Sequence, residues 1–484
     1  YEGSRSDGPF QSRLRYKRDN FTGNFTWRKG ETQAAGIRLN LGRNDFFSSG
    51  QIPLDEVAAG RLDRFGAVDP DGGGRVRNGT LGLYYRKESP EGSVFKLDGF
   101  LARSLFGLYS NFTFYLNDRT DGDEIQQHDS RLQEGANVQV LHPHRVFGKQ
   151  MLLNAGGNFH QNQIQVGLYP SVGRTPIGIA TKAHAQVTNF AGYLQQGMDA
   201  WKGRVHLEAG LRLDYFRFGV RDEANPADAG TQGASRLQPK LSLSLTPSQR
   251  VPATLYFNYG RGISSQDARG VVQKPSGIRI STTDFYQAGV SHHLKRFSAS
   301  ADVFWIDRSS EQVYVPDDGS IEFRGPSRAY GAELKASWEL PRRLTLHGGI
   351  TQVSNAFYRN TSPRVYVDSS PHTVANAALT LSPWRGLSGS LRYRHAGNYR
   401  LDGLERTLRA SGLDVLDLSV EKTLRQGVAL SLAVDNLTNK VYYETQNYFA
   451  SRLKPDDPVL GRIHGTPGYP ITVTVGLTLR LSGK

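Results

Sequence analysis

Apolar and polar residues alternate with a period of two along almost the whole chain, and this limits the fold more than any other feature. The last segment shows it plainly. Ile471, Val473, Val475, Leu477, Leu479 and Leu481 fall on one side, and Thr472, Thr474, Gly476, Thr478 and Arg480 on the other. A helix would scatter such residues around its surface, whereas a strand gathers them on one face. Val205, Leu207, Ala209, Leu211 and Leu213 alternate in the same way with His206, Glu208, Gly210, Arg212 and Asp214. So do Ala332, Leu334, Ala336, Trp338 and Leu340 with Glu333, Lys335, Ser337 and Glu339. No apolar window is long enough for a transmembrane helix, which needs about 18 residues.

Alternation alone fits a soluble sandwich or a membrane barrel, and the connections separate the two. The pattern predicts nineteen strands, at 20–29, 32–44, 76–88, 93–115, 129–143, 149–168, 179–201, 204–218, 236–247, 253–264, 282–294, 297–308, 321–340, 344–358, 372–384, 386–400, 412–424, 427–443 and 468–481. Every second connection is tight, as at Lys29-Gly30-Glu31, around Pro143, Trp201-Lys202-Gly203, Pro247 to Pro252 and Lys295-Arg296. The others are long and polar: 45–75, 116–128, 219–235, 265–281, 359–371, 401–411 and 444–467. Short turns at one end and long loops at the other mark an outer-membrane barrel, whereas Greek-key sandwiches have no reason to obey that rule. Trp27, Trp201, Trp305, Trp338 and Trp384 sit near strand ends, where interfacial aromatic belts form. The predicted fold is therefore all-β: one antiparallel, up-and-down transmembrane β-barrel with its apolar face toward lipid and its charged face toward the lumen.

The chain of 484 residues has no cysteine, which excludes disulfides, thiolate metal sites and a cysteine nucleophile. Its net charge of +14 fits a solvated surface, or basic loops that meet anionic lipopolysaccharide or an anionic ligand. No basic run interleaves with aromatics on one element, so no nucleic-acid partner is expected. No catalytic elbow or carboxylate pair stands out, and no catalytic residue, cofactor or metal is expected. Asp118, Asp121, Asp123 and Glu124 in one long loop, and Asp69 and Asp71 in another, are oxygen clusters that match no EF-hand spacing. His142 and His144, and the pair His292-His293, are weak metal candidates, and His292 and His293 are poor co-ligands because adjacent strand residues face opposite sides. The last long loop is richer. Tyr443, Tyr448, Phe449, Arg452, Arg462 and His464 combine aromatic area with cationic donors, as ligand-binding loops do, or else pack on neighbouring loops.

The run Asp435-Asn436-Leu437-Thr438-Asn439-Lys440-Val441-Tyr442-Tyr443, followed by a loop and Pro467-Gly468-Tyr469-Pro470, resembles the C-terminal signature of TonB-dependent outer-membrane receptors. Tyr193-Leu194-Gln195-Gln196, Gly210-Leu211-Arg212-Leu213-Asp214, Pro239-Lys240-Leu241 and Tyr259-Gly260-Arg261-Gly262 are weaker echoes in the same order. The ending Leu481-Ser482-Gly483-Lys484 departs from the family's terminal aromatic residue. The resemblance implies one barrel domain over 1–484 in the cell outer membrane, a monomer surrounded by lipid and lipopolysaccharide. It implies active import of a scarce small-molecule or glycan ligand, such as a ferric siderophore or a cobalamin-like cofactor, driven by the TonB complex through an N-terminal region and plug not among these residues. A passive porin is the alternative, but porins have about 16–18 strands. The family's barrels have about 22 strands, an even number as bacterial barrels do. The chain reads as about 20 of them, with Tyr1 to Ser6 the tip of an outward strand, and with a gap or strained seam expected between the first and last strands.

Overall fold

The computed structural model describes residues 1–248, 251–314 and 321–480. Twenty strands form one antiparallel sheet in which each pairs with its neighbours in the chain. In order they are Glu2–Ser6, Tyr16–Lys29, Gln33–Phe47, Gly73–Glu88, Val94–Ser110, Ile125–Val146, Lys149–Val172, Thr181–Ala200, Val205–Asp222 and Gly230–Leu245. They continue with Ala253–Ser265, Ile280–Leu294, Phe297–Arg308, Ser327–Leu340, Leu344–Tyr358, Thr373–Trp384, Leu387–Ala396, Leu413–Arg425, Val428–Asp435 and Thr472–Leu479. Glu2–Ser6 pairs with Tyr16–Asn20. At the other end Thr472–Leu479 pairs with Val428–Asp435, and among the described residues no pairing joins the first strands to the last. Among the described residues helix is confined to Leu54–Ala58, Ala268–Gln273 and two single turns.

Side-chain exposure sets the register. Val473, Val475, Leu477 and Leu479 are 60%, 67%, 62% and 63% exposed, values no water-facing core would tolerate but a lipid-facing wall requires. Leu211, Leu213 and Leu334 are likewise exposed. Arg212, Asp214, Glu333 and Lys335 lie one residue out of phase and so face the lumen. Tight turns connect alternate strand ends, several by residues in the left-handed region such as Phe147 (φ 51°) and Gly148 (φ 74°). Trp27, Trp201, Trp338 and Trp384 cluster at the turn end, all exposed. Trp305 marks the opposite rim, stacked on Tyr330 at 5.1 Å.

On the tallest strands the alternation reverses phase. Up to Tyr215, the strand Val205–Asp222 turns Leu211, Leu213 and Tyr215 outward and Arg212 and Asp214 inward. Beyond it Arg217 and Arg221 face out, while Phe216, Phe218 and Val220 face in. Lys149–Val172, two strands away, repeats the switch, with Gln163 and Gln165 exposed and Ile164, Val166 and Leu168 turned inward. The ladders here run without a register shift, so no bulge causes the reversal. The strand leaves the bilayer at this level. Its outer face then meets water, and its inner face becomes a hydrophobic shelf. The loop helix Ala268–Gln273 folds onto that shelf and packs Val271 and Val272 against Phe218, Val220 and Ile280.

The structure corrects several boundaries. The strand expected at 427–443 stops at Asp435, because Asn436 adopts φ 51° and turns the chain. The strand expected at 321–340 begins at Ser327, and Ile321–Arg324 pairs instead with Glu311–Tyr314 in a loop hairpin. Pro143 is inside its strand, opposite Leu152, and the turn comes later at Phe147-Gly148. The segment 397–400 leaves the barrel wall after Ala396, with Tyr399–Arg400 bridging to Arg409–Ala410. Residues 249–250 of one short turn and Leu481 to Lys484 lie outside the described residues.

Candidate functional site

The family-like signature is a structural clasp. Asn436 is 1% exposed. Its Nδ2 donates to the carbonyls of Lys440 (2.9 Å) and Tyr469 (3.0 Å), its Oδ1 accepts from the Lys440 amide (2.8 Å), and its own amide donates to Asp417 (3.0 Å). Leu437 donates its amide to the Leu416 carbonyl (2.6 Å), and Asn439 accepts from the Ile471 amide (3.0 Å). Thr438 lies in the turn between these two. The Gly468 amide donates to the Tyr442 carbonyl, and the Tyr442 ring occupies the space a side chain at 468 would need. Pro467 is buried, Tyr469 is exposed, and Phe10 packs edge-on against Tyr469 at 6.1 Å. These residues tie the start of the last loop to its end and so position everything between.

Between them the loop forms a hairpin, Tyr443–Ser451 with Leu460–Pro467, to which Ile52–Pro53 from the second long loop adds a third strand. A third loop joins through Phe114, which bridges in parallel to Arg452: the Arg452 amide donates to the Thr113 carbonyl and the Tyr115 amide to the Arg452 carbonyl. The six candidate residues divide. Arg452, Arg462 and His464 are buried within this cap, whereas Tyr448 is 39% exposed and Tyr443 and Phe449 are half-buried. Arg462 donates to Asp55 (2.7 Å) and Glu56 (2.8 Å). Glu56 also receives Arg61 at 2.6 and 2.9 Å. Arg61 first and Arg462 second hold the Glu56 carboxyl down to about 2. His464 stacks on Phe449 with centroids 3.9 Å apart, and its Nε2 meets the Ser451 hydroxyl at 3.1 Å. Burial pushes the imidazole down to about 4, so it is neutral at physiological pH.

Beside the cap lies a cavity of about 610 Å³, reached by Arg61, Asp69, Asp71, Tyr115, Asp121 and Glu124. The two acidic runs seen in the sequence therefore converge, although most of their oxygens serve the loops themselves. Asp123 accepts from Thr113 (2.6 Å), Asp118 from the amides of Thr120 and Asp121, and Asp69 from Asn111 (2.8 Å). Glu124 is buried and accepts from the Arg174 amide (2.8 Å); burial raises its pKa, and Asp69 and Asp71 add to the shift. Among the described residues no three His, Asp or Glu side chains gather in a metal-holding arrangement. His142 and His144 share one face, stacked at 5.8 Å, but sit at the short-turn end.

The inner wall carries polar groups that the sequence reading did not single out as a site. Asp214, 2% exposed, accepts from Arg212 (2.7 and 2.9 Å), Asn189 (3.1 Å) and Gln238 (2.5 Å), and Arg212 reaches Asn158 (2.6 Å). Only the pairing of four successive strands brings these five residues together. The phase reversal in the alternation was the readable sign of the covered shelf above them.

An antiparallel sheet of twenty strands, with a lipid-facing apolar band, a polar inner wall and an interlocked external cap, is the architecture of a large outer-membrane β-barrel. The chain belongs to the TonB dependent receptor-like, beta-barrel family, whose model matches residues 4–437. Three solved structures illustrate the likeness. The ferric citrate transporter FecA in the unliganded form is 15% identical with a TM-score of 0.80, covering 99% of this chain and 72% of its own. The ferric yersiniabactin uptake receptor FyuA from Yersinia pestis is 12% identical with a TM-score of 0.76, covering 99% and 74%. The copper transporter OprC is 16% identical with a TM-score of 0.75, covering 99% and 74%. None of the curated proteins matches the chain in sequence. The fold, the antiparallel up-and-down barrel and the outer-membrane location expected from the sequence all hold.

Proposed function

We propose that this protein is a receptor that imports a scarce ligand, in the first instance a ferric siderophore, across the outer membrane with energy from TonB. The observation that supports this most directly is the external cap. Three loops are locked by the Arg462 ion pairs and by the Phe114–Arg452 bridge, and they present Tyr448 and the adjoining cavity above a polar lumen. A passive pore gains nothing from such a cap, whereas a receptor needs a fixed surface to recognise its ligand. The family relationship and the siderophore-receptor folds among the structural neighbours support the same reading. A cobalamin-like cofactor or a glycan is the alternative cargo, to be separated by the same assay. Labelled ferric siderophores, cobalamin and oligosaccharides are offered to cells that express the intact protein, with and without TonB. Uptake of one ligand only when TonB is present is expected. Equal uptake in both strains would return the protein to the porin class.

A further inference from the structure

The outer wall carries a second surface that import does not explain. Below the phase reversal, the strands from Val94 to Asp222 enclose a lipid-facing groove of about 540 Å³, walled by Leu97, Val138, Phe159, Phe190, Leu213 and Tyr215. Its floor is open because Gly157 and Gly192 lie in one register row, Val138–Gly157–Gly192–Leu213, and contribute no side chain. Above the reversal the same strands form a polar hollow of about 570 Å³, lined by Arg103, Gln163, Gln165, His184, Gln186 and Arg221. The row Glu134–Gln161–Thr188–Arg217 joins the two. From Phe190 to Gln186 is four residues of strand, about 13 Å at 3.3 Å per residue.

We propose that this continuous surface is a binding site for one outer-leaflet glycolipid of the lipopolysaccharide class, with an acyl chain in the groove and the phosphorylated saccharide in the hollow. The position commits the occupant. The groove is in the apolar band, the hollow is on the side of the long loops, and only a lipid of the external leaflet places hydrocarbon and headgroup at these two heights. The charge is complementary. Arg103, Lys182, Arg217 and Arg221 face outward against Glu134 and Glu223, and Glu223 already meets Lys182 at 2.9 Å, His184 at 3.0 Å and Arg221 at 3.5 Å. Arg217 has no ion pair among the described residues. Arg103 reaches only the Ser130 hydroxyl, at 2.8 Å, which leaves further guanidinium donors for phosphate. The three glutamines and Thr188 are donors and acceptors suited to sugar hydroxyls, and the Glu134 carboxylate accepts from them.

The test uses the whole chain, purified in detergent. Binding of diphosphorylated lipid A, of its deacylated headgroup and of zwitterionic phospholipid is measured for the parent, for the pair Arg217→Gln with Arg221→Gln, and for Gly192→Leu. A Cβ at 192 meets no atom within 4 Å, so the backbone there leaves room for a side chain that projects into the groove. Lipid A is expected to bind the parent and to lose about tenfold in affinity for each cation removed. Gly192→Leu weakens lipid A but leaves the deacylated headgroup unchanged. Heat-dependent gel mobility confirms that each variant is a folded barrel. Equal lipid A affinity across the three proteins, or phospholipid binding as tight as lipid A, overturns the proposal. TonB-dependent uptake is a separate readout and stands or falls independently.

Discussion

Arg462 and Glu56 are 406 residues apart in the chain, yet their side chains meet at 2.8 Å and hold the last external loop to the second. Arg462 is 8% exposed, so the pair is largely shielded from water, and Asp55 supplies a second carboxylate at 2.7 Å. Breaking a buried pair leaves an uncompensated charge and costs about 3–5 kcal/mol. Arg462→Ala is therefore expected to open the cap without melting the barrel. Amide hydrogen exchange should rise across 443–467 and 52–58 and stay unchanged in Val205–Asp222. Uniform exchange across both regions would show that the pair does not lock the cap.

The cap is also expected to loosen in acid, in two windows. The buried His464 has a folded pKa near 4, below its unfolded value near 6.5. The unfolded loop takes the proton more readily, so the stabilisation is complete above about pH 6.5 and is lost as the pH falls toward 4. The total is on the order of 3 kcal/mol. Glu56 is held down to about 2, so its contribution disappears later, as the pH falls from about 4.5 toward 2. Protection factors at 443–467, which divide out the pH dependence of intrinsic amide exchange, should fall from pH 7 to 4 in the parent and be nearly flat in His464→Gln. A slope that survives the substitution assigns the effect to another group.

The outer wall at mid-height should reject charge. Leu211 is 49% exposed toward lipid, with Leu194 and Pro239 beside it in register. Leu211→Lys is expected to destabilise the barrel by about 2–4 kcal/mol in vesicles. Lys335→Gln, in the lumen and paired only with Glu333 at the water-exposed side, should change stability by less than about 1 kcal/mol. Urea unfolding in lipid vesicles compares the two directly, and equal effects would mean that the assigned faces are reversed.

Asn436 should be intolerant of substitution although it touches no ligand. It combines φ 51° with three side-chain hydrogen bonds in full burial. Alanine at this position loses the bonds and keeps the strained backbone, at a cost of about 2–4 kcal/mol. Asn436→Ala should lower the yield of heat-modifiable barrel, while Thr438→Ala, which breaks none of these contacts, should not. Equal yields would remove the clasp from the account of assembly.

The barrel itself was legible from local chemistry. A side-chain period of two is a property of each strand alone, and Ile471 to Leu479 declare their lipid face without any partner. Loop lengths are equally local, so the order of short turns and long loops could be read by eye. The sequence also carried the phase reversal at Tyr215 and Phe216, but its meaning depends on knowing where the membrane ends. The site was another matter. Arg462 and His464 could be read as ligand contacts or as loop packing, because aromatic and cationic residues in a loop are compatible with either role. Their burial is decided by Asp55, Glu56 and Phe114, which the chain brings from distances no local pattern encodes. The sequence by itself determined the strand faces, because alternation against lipid is a one-dimensional signal. Which loops interlock, and which cations are spent on holding them, was decided only by the tertiary fold, because ion pairs and stacking depend on three-dimensional distance.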